Sequence, residues 1–207
     1  MNLLTTHARN DTDYAIAGFD WMAPIPIDEF WEQKGPFWVD LGAGKGSFLA
    51  AAAEAFPEYR FFGVERQLSR IRKINRKLNR MSLTNVRLLR AEIYYTTRYL
   101  LPPDSCDGFF LLFPDPWPKA RHAKNRLVTP EFLDAMAAAL KPGGVVHFAT
   151  DNEPYMEWAM ERWTQHSGFR LLPEIPGEML VAQTDFELLW TEQGLDIHRF
   201  AFQKAAP

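Results

Sequence analysis

One cysteine, Cys106, stands in a chain of 207 residues, so neither an internal disulfide nor a multi-thiolate metal site can form within it. The five histidines, at positions 7, 122, 147, 166 and 198, fall in no ligand-like spacing, and no metal site is expected. No window approaches the roughly 20 unbroken apolar residues of a membrane-spanning helix. The first fifteen residues hold no apolar core behind a basic leader. Together these shortages lead us to expect a soluble chain with no membrane contact, in a reducing cytoplasmic setting. Repeats and low-complexity linkers are missing too. A single domain over residues 1–207 is therefore expected, with residues 1–34 as an N-terminal extension. The oligomeric state is not legible.

What is there suffices for a core: 47% of residues are hydrophobic, and a chain of this length buries roughly 70% of the surface it exposes unfolded. The net charge is only −3, but it is unevenly spread. Positions 60–90 and 118–126 carry 14 of the 23 basic residues and a single acid, Glu65. A polyanion responds to the local field rather than the total, so this separation fits a nucleic-acid footprint. The longer run reads equally well as a solvated helix face, because Leu68, Ile71, Ile74, Leu78 and Met81 form an apolar stripe whose far side must be polar anyway.

Strand and helix signals alternate. Apolar runs at 37–41, 60–64, 86–89, 109–113 and 145–149 read as strands, and helices are expected over 47–56, along the basic run, over 130–140 and after Pro154. Lys141 to Gly144 reads as a turn, and 169–172 and 197–202 as two further strands. The pattern predicts an α/β fold: a mostly parallel, Rossmann-like sheet with helices on both faces. Ligands of such sheets sit beyond the carboxyl ends of the strands, where the strand order switches. The residues just past those ends are a glycine cluster, Glu65, Glu92, Asp115 and Asp151, which should converge on one edge.

The stretch Asp40-Leu-Gly42-Ala-Gly44-Lys-Gly46 alternates glycines between a strand and a helix, so a ligand can approach the backbone closely. Glu65 follows Gly44 by 21 residues, where a carboxylate can accept both hydroxyls of an adenosine ribose. A dinucleotide calls for G-x-G-x-x-G, and here the third glycine comes one residue early. S-adenosylmethionine carries a sulfonium and an ammonium group instead, and Asp40, Glu65, Glu92 and Asp115 would line its pocket with negative charge.

Phe113-Pro-Asp115-Pro-Trp117-Pro-Lys119 is the most specific stretch, since three prolines fix the path of an acid, an aromatic and a cation. Arg121, His122, Lys124 and Arg126 follow with no acid between them, and Lys119, Arg121, Lys124 and Arg126 could hold a phosphate backbone beside Asp115. Phe113 is expected to pack in the core. Trp117 could either pack or stack on an extruded base.

From Phe113 to Arg126 the chain resembles the bacterial tRNA (guanine-N7-)-methyltransferases, whose hallmark is F-P-D-P-W-x-K-x-R-H-x-K-x-R. The likeness runs from about Asp40 to the end, through Ala149 to Tyr155 and Thr184-Asp185-Phe186-Glu187. It implies a class I methyltransferase sheet of seven strands, S-adenosylmethionine as cofactor and tRNA as substrate. It further implies that Asp40, Glu65 and Glu92 contact the cofactor, that Asp115 is the catalytic carboxylate, and that Lys119, Asp151 and Thr184 to Glu187 bind RNA. Glu92 stands where the family usually has Asp, and Asp185 where it commonly has a basic residue. Rival readings are a related methyltransferase with a different RNA target, an NAD-dependent oxidoreductase, and a non-catalytic RNA-binding module.

Overall fold

The computed structural model describes residues 13–177, 184, 187, 191–194 and 196–205. Seven strands, β1 Phe37–Leu41, β2 Arg60–Val64, β3 Val86–Leu89, β4 Cys106–Leu112, β5 Leu140–Thr150, β6 Phe169–Leu171 and β7 His198–Lys204, form one sheet in the order β3-β2-β1-β4-β5-β7-β6. Pairings among β1 to β5 are parallel, and β7 enters antiparallel between β5 and β6. The helices α1 Ser47–Ala55, α2 Leu68–Met81, α3 Ile93–Tyr95, α4 Pro130–Ala139 and α5 Glu153–Gln165 supply the crossovers.

Every residue of β1 and β2 is buried, as strands covered on both faces must be. Side-chain alternation sorts them. Val39 and Leu41 join Phe62, Phe109 and Phe148 on one face, while Trp38 joins Phe61, Leu49, Ile74 and Phe110 on the other. Asp40 has the parity of Trp38, which turns it toward the face covered by α1 and α2. Trp38 lies against Gly108 of β4, where an added Cβ would come within 2.4 Å of its ring. The helix starts follow local chemistry: Thr129 caps α4 ahead of Pro130, and Asn152 accepts from the Tyr155 N–H to cap α5 ahead of Pro154.

Three expectations need correction. β4 begins at Cys106 and ends at Leu112, because Phe113 turns into the left-handed region at φ 53°. Lys141 to Gly144 is not a turn ahead of β5 but lies within it, looping out where the register against β4 jumps from Cys106↔Leu140 to Gly108↔Val145. Of the α2 stripe, Ile71, Ile74 and Leu78 are buried and Met81 packs partly buried against the same cluster, but Leu68 at the first turn is 38% exposed. A helical stretch after Glu92, α3 continuing as a π-helical turn over Thr96–Leu100, has no apolar periodicity long enough to announce it. The segment before β1 is also built in: Ala15 bridges Leu88 at the β3 edge, and Tyr14, Ile25, Ile27 and Trp31 are buried.

Candidate active site

β1 pairs with β2 on one side and β4 on the other, so successive crossovers leave it in opposite directions and a crevice opens past its carboxyl end. Two adjoining hollows of about 200 and about 290 Å³ lie there, sharing Gly42, Arg70, Leu112, Phe113 and Asp115 in their walls.

The first is walled by Asp40, Gly42 to Ser47 and Thr184. Its turn needs glycine for two reasons visible at Gly46, the residue before α1. Its φ is +73°, and an added Cβ would meet Ile74 at 2.8 Å. The N–H groups of Gly42 and Ala43 both donate to the Val64 carbonyl, fastening the turn to the end of β2. Asp40 is 4% exposed. Burial first, and the Glu65 carboxylate second, push its pKa up to about 7. An incoming cation would restore its charge; a pyrophosphate would be repelled.

The second hollow is walled by Glu65, Gln67, Glu92, Ile93, Pro114, Trp117 and Leu127, among others. Glu65, 5% exposed, is held by three donors: the Gln67 N–H (2.7 Å), the Gly44 N–H (3.2 Å) and Arg70 (3.2 Å). Glu92 caps α3, accepting from the N–H groups of Tyr94 (3.0 Å) and Tyr95 (2.7 Å). It is exposed, as is Asp115, so of the converging carboxylates only Asp40 and Glu65 are desolvated, which keeps the cost of gathering them moderate.

The loop after β4 bends onto the glycine turn, and that is why Asp115 belongs to both hollows. Phe113 (φ 53°) and Trp117 (φ 42°) are left-handed non-glycine residues, each costing of order 1–3 kcal/mol unless their surroundings hold them there. Phe113 donates its N–H to the Ala149 carbonyl. It borders both hollows instead of packing in the core, a correction that follows from its φ, since the strand's alternation ends one residue earlier. Trp117 is 37% exposed and meets His122 edge-on at 5.8 Å. Lys119, Arg121 and Lys124 reach solvent and pair with no carboxylate among the described residues. Arg126 does not reach out likewise: its Nε donates to the Pro116 carbonyl at 3.0 Å.

The expected RNA-binding tail is partly placed. Asp185 and Phe186 lie outside the described residues. Thr184 and Glu187 form a reciprocal capping pair, the Thr184 N–H donating to the Glu187 carboxylate and the Glu187 N–H to Thr184 Oγ1. Arg199 of β7 donates to the same carboxylate at 2.6 and 3.1 Å. Thr184 still borders the first hollow. Asp151, past the end of β5, borders neither. The sequence reading missed Arg70, which touches Glu65 and borders both hollows, and Lys45, which borders the first. Arg70 lies within the basic run, five residues after Glu65, and a run of cations gave no reason to single it out. Among the described residues there is no cluster of three potential metal ligands, and no helix is long and apolar enough to cross a membrane.

A family model described as "Putative methyltransferase" matches residues 34–200. Solved structures with the same fold include the 16S rRNA methyltransferase KamB, at 20% identity and a TM-score of 0.64 over 87% of this chain and 93% of that one. The antibiotic-resistance methyltransferase Kmr aligns with a TM-score of 0.62 at 17% identity, over 92% and 95% of the two chains. The tRNA (guanine-N(7)-)-methyltransferase of Nitrosococcus oceani is 32% identical over 182 residues, 88% of this chain and 77% of that protein. Those of Thermus thermophilus and Caulobacter vibrioides are 31% and 37% identical over 87% and 72% of this chain, which spans 58% and 65% of their lengths. With the matched region running from the start of β1 through the glycine turn and the proline loop to β7, the chain belongs to the tRNA (guanine-N7-)-methyltransferase family.

Proposed function

We propose that this protein transfers a methyl group from S-adenosylmethionine to N7 of a guanine in tRNA, the variable-loop guanine by family likeness, in the cytoplasm. One observation carries the reading: Asp115, on a loop stiffened by prolines and followed by the exposed cations Lys119, Arg121 and Lys124, shares its hollow with the glycine turn and Asp40.

The residues suit the cofactor. Asp40 is a buried carboxylate whose ionised form wants a cation, and Gly42, Gly44 and Gly46 leave the turn open beside it. Glu65 and Glu92 border the adjoining hollow, where a ribose and an adenine edge would find acceptors. S-adenosylmethionine would supply there an electrophilic methyl group on a positively charged sulfur. The oxidoreductase alternative loses ground because a pyrophosphate at this turn would face Asp40.

Guanine N7 exposes a lone pair, so the protein need not supply a base. As the purine gains positive charge, the donors on its Watson–Crick edge become more acidic. A carboxylate fixed at Asp115 then binds the charged ring more strongly than the neutral one, which favours the transition state. Trp117 offers a ring face for an extruded base. Lys119, Arg121 and Lys124 would take the flanking phosphates, where exposure is an advantage because counterions are released to bulk water. Asp151, Thr184, Asp185, Phe186 and Glu187 are assigned to tRNA by likeness; the Thr184–Glu187 pair would present that segment at the rim of the first hollow. Incubation with unmodified tRNA and labelled S-adenosylmethionine, followed by alkali-labile strand scission at 7-methylguanine, tests the proposal. Label at another atom, or none, defeats it.

A further inference from the structure

The sequence places Arg126 with Lys119, Arg121 and Lys124 as one set of phosphate ligands. Its surroundings set it apart. The Nε–H donates to the Pro116 carbonyl at 3.0 Å, and the guanidinium lies 5.1 Å from the ring centre of Trp158 and 5.7 Å from that of Tyr155. These two aromatics lie three residues apart on α5, hence on one face, and their rings stack at 5.6 Å. Tyr155 is fully buried and Trp158 half-buried. Burial raises the Tyr155 phenol well above its ordinary value, with Arg126 acting to lower it and the Asp115 carboxylate to raise it, which puts the base of α5, Arg126 and Asp115 within one electrostatic neighbourhood.

The loop from Phe113 to Trp117 needs such a restraint. Its two left-handed residues, at 113 and 117, bracket Asp115, and prolines alone cannot hold a neighbour at positive φ. The N-terminal side is fastened by the Phe113 N–H to Ala149. On the C-terminal side, Arg126 reaches back ten residues to the carbonyl between Asp115 and Trp117. The guanidinium suits this because its fork can donate to a carbonyl in plane while its faces stay free to lie on aromatic rings. Lysine offers no planar face and no Nε–H.

We infer that Arg126 is a positioning residue that clamps the Asp115 loop to α5, and not one of the phosphate ligands. The inference rests on the proposed function only in what Asp115 is positioned for.

The test compares Arg126→Lys with Lys124→Ala in the full chain. Arg126→Lys, which keeps the charge, should speed amide hydrogen exchange at Phe113 and His122, whose N–H groups donate to the Ala149 and Lys119 carbonyls, at least tenfold, cut kcat for tRNA methylation about tenfold and leave KM for tRNA and the slope of log affinity against log salt unchanged. Lys124→Ala should leave exchange unchanged, raise KM for tRNA and reduce the slope by about 0.7–0.9, the loss of one phosphate. Should Arg126→Lys melt, Trp158→Leu removes one wall of the clamp from the α5 side and should loosen the same amides. Exchange in Arg126→Lys as slow as in the wild type overturns the clamp, as does an Arg126→Ala protein whose only defect is a shallower salt slope. Loosened amides in a protein that never methylates tRNA support the clamp and overturn the proposed function.

Discussion

The glycine turn and the proline loop face each other across one crevice and are stabilised in opposite ways. The turn ends a central strand, its N–H groups tied to β2, its acids 4 and 5% exposed, its helix seated on Ile74. The loop has its acid, its tryptophan and three of its cations in solvent, and two strained residues held by single hydrogen bonds and ring contacts. A small cation gains most where water is excluded, since the interaction strengthens as the effective dielectric falls. A polyanion gains by displacing counterions from exposed cations, and a reacting base needs a carboxylate it can reach. Burial on one side and stiffness without burial on the other answer those two needs.

If the division is real, each half should fail in its own way. The largest effect belongs to the loop: Asp115→Asn should lower kcat about 10²- to 10³-fold, in the range for loss of one preorganised electrostatic partner, while Tm stays put. Single-turnover formation of 7-methylguanine measures it, and near-normal turnover removes the catalytic assignment.

Next comes the buried acid. Asp40→Asn should weaken S-adenosylmethionine binding about 10- to 100-fold by calorimetry and yet stabilise the free protein above pH 7. The sign follows from the raised pKa. Between its unfolded value near 3.8 and about 7, the folded state holds a proton the unfolded state has lost, so stability falls as pH rises through that window. The stabilisation by Asn at pH 8 should be a few kcal/mol at most. In the wild type, cofactor affinity should fall about tenfold per pH unit below 7, because binding must then expel that proton.

Gly46→Ala should cost about 2 kcal/mol in urea unfolding, from positive φ and contact with Ile74, with weaker cofactor binding. An equal loss from alanine at a proline of the loop would blur the contrast. Smallest, Lys119→Ala should weaken tRNA binding only a few-fold and lower the salt slope by about 0.7–0.9, leaving Tm and cofactor affinity unchanged.

The sequence alone determined the strand–helix rhythm, the glycine turn, the downstream Glu65 and the proline-fixed acid, because each depends on local periodicity, on backbone freedom or on short fixed spacing. Only the tertiary structure decided which charges are buried and what each one meets. Glu65 and Glu92 look alike as acids past strand ends, but one is enclosed by β2, the glycine turn and Arg70 while the other caps α3 in the open. Arg126 looks like Lys124 two positions before it, until α5, nearly thirty residues on, brings Tyr155 and Trp158 beneath it. Desolvation and cation–ring contact depend on neighbours remote in the chain, and no local pattern encodes them.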